Sequence, residues 1–286
     1  LFDIASLQEQ YNNVKVNKLH TIGTAGSLYH GKENKIEFKL EGDARPILRY
    51  PHRKEDNLNG CIVIYESPYK NENQQVPANL YLICHDPYGQ NQSADSSSLG
   101  ACYVIKRVNN ISRPDDMIVA SYVGRPHSQD EFNRNMFMLA DYYNAKIGFE
   151  NDRGEVIAYA KRHRKLHRLQ EEFEMLDKKN LRSKTVKRQF GMHTTEPRKR
   201  QGELYIRDWL NTVRHVNEDG SQVLNMHKIY DLALLQELIK FNHRGNFDRV
   251  MALMIGMYHT REMYNSEVRE VLEDGSADKW FDQNYY

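Results

Sequence analysis

The hydrophobic and polar positions of this chain follow two rhythms. From Gly60 onward, short apolar runs are closed by turn residues: Cys61 to Tyr65 by Ser67-Pro68, and Leu80 to Asp86 by Pro87-Tyr88-Gly89, with Ala101 to Ile105 as a third run. Runs of this length, bounded by Ser, Pro and Gly, predict strands. The serine-rich stretch through Ser93, Ser96, Ser97 and Ser98 predicts the turn of a hairpin between the second and third. Met117 to Val123 predicts another strand. Then the period changes: Phe132, Asn135, Met136, Leu139 and Tyr143 recur at helical spacing, which predicts a helix from about Ser128 to Tyr143. Ala145 to Glu150 predicts a short strand, and Gly154 to Arg168 a second helix.

Before residue 60 the pattern is weaker. Strand-like pieces such as Lys35 to Leu40 alternate with turns and charged loops, without an internal repeat. After residue 200, helices are predicted over Leu204 to Val213 and Tyr230 to Phe241. Asn246-Phe247-Asp248 then introduces a last apolar helix through Met251, Leu253, Met254 and Ile255, and a polar tail begins near Tyr264. The order of three strands, helix, strand, helix suits an RNase H-like sheet, and also several other α/β folds.

Composition narrows this little. At 286 residues the chain has room for one α/β core with appendages or for two small domains. With 40% hydrophobic and 28% charged residues, and no apolar run near the roughly 18 residues of a spanning helix, a soluble protein is expected. The opening residues lack the basic and then apolar regions of a signal peptide, and Leu1 in place of Met suggests a fragment or a processed form. The 3 cysteines, Cys61, Cys84 and Cys102, are odd in number and widely spaced, so reduced, partly buried thiols are expected rather than a disulfide or zinc site. A net charge of +1 neither requires nor excludes nucleic acid, because a binding footprint depends on where the charges lie.

Candidate chemistry sits at the ends of the apolar elements. Asp86, Glu150 and Asp248 are carboxylates at such boundaries, poorly placed for core packing and well placed at the carboxyl edge of a sheet. If the strands bearing Asp86 and Glu150 are adjacent and parallel, the two meet above the sheet, and the start of the last helix can bring Asp248 to them. Oxygen ligands of this kind suit Mg²⁺ or Mn²⁺. Each residue also has a structural reading, and Asp248 in particular is placed to be the N-cap of the last helix. His85 adjoins Asp86, but strand alternation directs it to the opposite face.

Cations supply a candidate DNA surface. Lys161, Arg162, Arg164, Lys165 and Arg168 crowd the helix after Glu150, where a solvated face explains them nearly as well. The stretch Lys178 to Arg200 holds nine Lys or Arg residues against one acid, Glu196. Such cations repel one another unless phosphate neutralises them, which marks Lys184, Lys187, Arg188, Arg198, Lys199 and Arg200 as DNA contacts that set affinity rather than sequence choice. Two other patterns fail on chemistry. Gly26 to Lys32 has the glycines and lysine of a phosphate-binding loop, but Glu33 stands where Ser or Thr is needed and a strand follows instead of a helix. His163 and His167 lack the glutamate of a zinc-protease helix and have cationic neighbours.

Three segments carry a family resemblance. Leu82-Ile83-Cys84-His85-Asp86-Pro87-Tyr88-Gly89, with Asp95 beyond it, resembles the first acidic motif of the nuclease domain of tailed-phage terminase large subunits. Gly148-Phe149-Glu150-Asn151-Asp152-Arg153-Gly154 resembles their second motif, and Asn246 to Met254 their third. Over roughly residues 76 to 263 this resemblance implies an RNase H-like fold with a mixed sheet flanked by helices. It implies Asp86, Glu150 and Asp248 as catalytic metal ligands for two Mg²⁺ or Mn²⁺ ions, Asp95 as a further ligand and Asp152 as an outer acid or turn residue. The implied reaction is two-metal hydrolysis of phosphodiester bonds in double-stranded DNA. Implied partners are DNA and, in a full-length protein, a terminase ATPase domain, a portal protein and a small terminase subunit, in the host cytoplasm during phage assembly and away from membranes. Residues 1–75 then read as a junction or extension that can add a strand or two to the nuclease core, 76–265 as the nuclease domain and 266–286 as a tail. Rival readings are another RNase H-like nuclease, such as a Holliday-junction resolvase, or a non-catalytic DNA-binding packaging module.

Overall fold

A computed structural model of the chain describes residues 2–88, 98–107, 116–151, 154–171 and 190–273. Helix α1 (Ile4–Val16) is followed by strands β1 (Thr24–His30), β2 (Ile36–Leu40), β3 (Ile62–Ile64), β4 (Tyr81–Asp86), β5 (Gly100–Lys106) and β6 (Met117–Gly124). Then come α2 (Gln129–Tyr142), β7 (Lys146–Phe149), α3 (Glu155–Arg162), α4 (Glu196–Leu210), the hairpin β8 (Val213–Val216) and β9 (Gln222–Leu224), α5 (Leu232–Lys240) and α6 (Asp248–Glu273). Seven strands form one sheet in the order β2-β1-β3-β6-β5-β4-β7. Every neighbouring pair in it is antiparallel except β4 and β7, which run parallel. The architecture is α/β, a mixed central sheet with helices on both faces.

Alternation along β4 and β5 sorts the core into two layers. Ile83, Cys102 and Val104 meet Phe132, Met136 and Leu139 of α2 and Val156 and Tyr159 of α3. Cys84, Ala101, Tyr103 and Ile105 meet the opposite layer, built from α4, α5 and α6. The approach of α6 depends on a residue without a side chain: a Cβ on Gly256 would lie 2.6 Å from Ile105 Cδ1 and 2.9 Å from Cys84 Sγ. All three cysteines are free thiols, with Cys84 and Cys102 buried. Among the described residues no helix is long and apolar enough to cross a membrane.

Several elements differ from what the pattern predicts. Residues 4–16 form a helix where strand-like pieces were expected. Its buried face is Leu7, Gln10 and Val14, and Asp3 caps it by accepting from the Ala5 and Ser6 amides. The polar Gln10 sits on that face because its amide donates to the His227 and Ile229 carbonyls at 3.1 Å each, and it breaks the apolar stripe a sequence reading looks for. The helix expected over Leu204 to Val213 begins earlier, at Glu196, with Pro197 in its first turn, where a fixed φ favours initiation. Arg198, Lys199 and Arg200 are therefore helical, and Val213 belongs to a strand. The helix after Glu150 stops at Arg162, and Arg164 takes a φ of 56°, so His163 and His167 do not share one helix face. Strands β1 to β3 join the main sheet, and α6 runs past residue 265 to Glu273.

Candidate active site

The three acids reach one end of the sheet for reasons that begin with register. In the parallel pair β4 and β7, His85 is the partner of Phe149. The next residues, Asp86 and Glu150, thus emerge side by side, and the Glu150 amide donates to the His85 carbonyl at 3.2 Å. Parity sets the face. Asp86 falls with Leu82 and Cys84 on the side covered by α6, and Glu150 falls with Gly148, where a Cβ would lie 2.2 Å from His259 Cδ2 of α6. Asp248, the first residue of α6, arrives on that same face.

The cluster is crowded and short of water. Burial first, then the charges of Asp248 and Glu150 and a hydrogen bond with the Glu150 carboxyl, push Asp86 well above the usual carboxylate range. A hydrogen bond between two carboxyls requires a proton on one of them, the usual outcome for like charges in one site. Burial also raises Asp248, opposed by hydrogen bonds from the Leu99 amide and the Ser98 hydroxyl, by the charge of Arg249 and by the Asn246 side chain. Those bonds are 2.7 Å from Leu99, 3.1 Å from Ser98 and 3.2 Å from Asn246. A cavity of about 130 Å³, lined by Tyr50, His52, Leu99, Glu237 and Asn246 among others, opens beside Asp248.

His85 lies on the far face, as alternation predicts. Its ring stacks on Phe132 at 5.0 Å, its Nδ1 donates to the Ala101 carbonyl at 2.9 Å, and burial pushes it down to about 4. It is a neutral core residue.

The structure does not support reading Asp248 as a helix N-cap. The Met251 amide donates to the Phe247 carbonyl at 2.9 Å, so Phe247 holds the N-cap position and Asp248 is the first helical residue. Phe247 has no side-chain acceptor. Glu237 of α5 takes that role, accepting from the amides of Arg249 at 2.9 Å and Val250 at 3.2 Å with a single carboxylate oxygen. Its other oxygen accepts from the Arg249 guanidinium at 2.9 Å, which also donates to the Ile47 carbonyl at 3.0 Å. Asp231 lies 3.8 Å from the guanidinium and accepts from the Tyr103 hydroxyl at 2.7 Å. Burial pushes Glu237 up to about 7 while Arg249 pulls it back. Three donors converge on its two oxygens, an arrangement that favours the charged form against the cost of burial. The sequence reading passed over Glu237 and Arg249. A signal was present: Glu237 is three residues after Leu234 and adjacent to Leu238, on the apolar face of its helix.

The donor set suits a hard divalent cation, which would remove the repulsion that raises Asp86 and Asp248. Among the described residues, however, no three His, Cys, Asp or Glu side chains are arranged to hold a metal ion as they stand. Asp86 lies in the field of both Glu150 and Asp248, while the Asp248 carboxylate accepts from Leu99 and Ser98. Asp95 and Asp152 lie outside the described residues, as do Lys184, Lys187 and Arg188. Of the remaining cations, Lys161, Arg164 and Arg200 are exposed. Lys165 is bound to Asp141 at 2.5 Å, Lys199 lies 3.6 Å from Glu196, and Arg198 donates to the His193 carbonyl at 2.8 Å.

No protein-family model matches the chain, and no curated protein matches it. Among solved structures it is similar to the large terminase nuclease from thermophilic phage G20c with bound zinc, over 74% of this chain and 92% of that one, at 13% identity and a TM-score of 0.43. The similarity is distant.

Proposed function

We propose that this chain is a divalent-metal-dependent endonuclease for double-stranded DNA, built on an RNase H-like fold and acting as the nuclease of a phage terminase large subunit. The observation that carries the reading is the arrival of Asp86, Glu150 and Asp248, from three elements far apart in sequence, on one face at one end of the sheet, with Asp248 relieved of helix capping. The three motifs that resemble the terminase nucleases centre on the same acids. Asp86, Glu150 and Asp248 would hold Mg²⁺ or Mn²⁺, with Asp95 as a further ligand. Bound cations would supply acidification of the attacking water and neutralisation of charge on the departing 3′ oxygen. The protein's part is to keep the acids in a confined setting where their charges act strongly, and to fix Asp248 through Leu99 and Ser98. Arg198, Lys199, Arg200, Lys184, Lys187, Arg188, Lys161, Arg164 and Lys165 would contribute sequence-independent affinity for the phosphate backbone.

The rival reading from a different class is a non-catalytic DNA-binding packaging module. Cleavage of closed circular duplex, with and without chelator, separates the two. Nicking should require Mn²⁺ or Mg²⁺. It should fall by more than about 100-fold in D86N and E150Q, since even the outer partners of metal ligands are worth about 10–100-fold. Cleavage that persists in chelator, or that survives D86N unchanged, refutes the proposal.

A further inference from the structure

The N-terminus of α6 has a division of labour. A helix start exposes amides without partners, and the N-cap side chain normally accepts from the second and third of its residues. Here the N-cap is Phe247, which cannot accept, and those two residues are Arg249 and Val250. Asp248 is the nearest acidic side chain in the sequence and is itself in the first turn, the usual place for an acid to satisfy such amides. Its carboxylate faces elsewhere, to the Leu99 amide and the Ser98 hydroxyl on the segment entering β5. The amides it leaves are taken by Glu237, whose own helix begins at Leu232. Glu237 is 1% exposed and is held in place by Arg249, also 1% exposed.

We infer that Glu237 is a positioning residue for the candidate active site: by capping α6 from α5, it keeps the Asp248 carboxylate turned toward β5 and the other acids. The inference rests on the proposed function for its consequence, metal binding, but not for the positioning itself. Without an acceptor at residue 237, the amides of Arg249 and Val250 would draw Asp248 back onto its own helix. Leu99 would then lose the acceptor of its buried amide, and the metal site would lose a ligand. Arg249 clamps Glu237, so removing the glutamate alone would strand a buried guanidinium and confuse positioning with folding.

The test therefore compares two proteins that both lack the ion pair. In E237Q/R249M the glutamine carbonyl can still accept both amides, whereas E237L/R249M has no acceptor. E237A/R249M serves in its place if the leucine does not pack. Without metal, hydrogen exchange at the Leu99 amide should be at least about tenfold faster in the variant lacking the acceptor than in the glutamine variant, with the Tyr103 and Val104 amides of β5 as controls. With metal, the Mn²⁺ dissociation constant read by electron paramagnetic resonance should be at least about tenfold weaker in that same variant, the order of a lost supporting contact. Leu99 exchange within twofold between the two variants overturns the inference. Faster Leu99 exchange alone, with no Mn²⁺ bound even by the unsubstituted protein, upholds the positioning and refutes the nuclease reading.

Discussion

Asp248 allows the hydrogen-bonding and charge contributions of one side chain to be separated. Its Oδ2 accepts from the buried Leu99 amide at 2.7 Å and from Asn246 at 3.2 Å, and its Oδ1 from the Ser98 hydroxyl at 3.1 Å. Asparagine can keep all three bonds: its carbonyl oxygen takes the place of Oδ2, and its amide donates to Ser98 Oγ, since a hydroxyl accepts as readily as it donates. Alanine keeps none and leaves the Leu99 amide buried without a partner, a loss of about 1–3 kcal/mol. Both changes remove the same negative charge from beside Asp86. In metal-free protein at pH 7, D248A should therefore unfold about 1–3 kcal/mol more easily than D248N.

Relief of like-charge repulsion alone would give a slight gain on substitution by alanine. The anchoring of Leu99 reverses that expectation for alanine and retains it for asparagine. Because the folded-state pKa of Asp248 is raised, the unsubstituted protein is stabilised by that group below about pH 4 and loses the contribution as pH rises through the folded value. The advantage of D248N over the unsubstituted protein should accordingly be absent below about pH 4, near the ordinary aspartate value, and grow above it. Urea unfolding in chelator from pH 3.5 to 7 measures both effects. Equal stability of D248A and D248N at pH 7, or a more stable D248A, would refute the role given to the Leu99 bond.

Two further outcomes follow from the packing of α6 and the core. G256A should destabilise the fold by roughly 1–3 kcal/mol, the usual cost of overfilling a packed interface, because the new methyl would press on Ile105 and Cys84. An unchanged melting temperature would mean that α6 sits farther from the sheet. Burial holds His85 and His259 down to about 4, so both contribute stability that is present above the ordinary histidine value and lost as pH falls toward 4. Each loss has a slope of about 1.4 kcal/mol per pH unit and reaches roughly 3 kcal/mol by pH 4. Replacing His259 by Asn should remove one such slope between pH 6.5 and 4 in urea titrations, and parallel curves for the two proteins would contradict its burial as a neutral ring.

Strands β3 to β7 were legible because they are largely apolar on both faces, whereas β1, half-exposed and rich in small and polar residues, was not. Tyr81 to Asp86 is buried throughout, and a six-residue run closed by Pro and Gly has few other readings. What escaped was local structure whose cause lies elsewhere in the chain. Helix α1 carries Gln10 on its buried face because carbonyls more than 200 residues away accept from it. The hairpin β8–β9 is short and largely exposed, so it leaves too little apolar pattern to be read against the preceding helix. The start of α4 was hidden by its cations, which look like a solvated loop until Pro197 is weighed as an initiator.

The candidate site divides along the same line. Asp86 and Glu150 could be picked out as candidates because a strand end is a local event, and the parallel register of β4 and β7 sets both on one face. Asp248 could be found but not assigned, since an acid at the start of a helix serves equally well as a cap or as a ligand. The residue that takes the capping role instead is Glu237, eleven positions upstream on another helix. By accepting from the Arg249 and Val250 amides it removes the local reason for Asp248 to turn inward. A charged residue on the apolar face of a helix is costly unless something buried needs it, and here that need is the open end of α6. The position of Glu237 in the stripe formed by Leu234, Leu235 and Leu238 was thus the sequence trace of a tertiary cap, and its partner was already in view as the arginine after the aspartate.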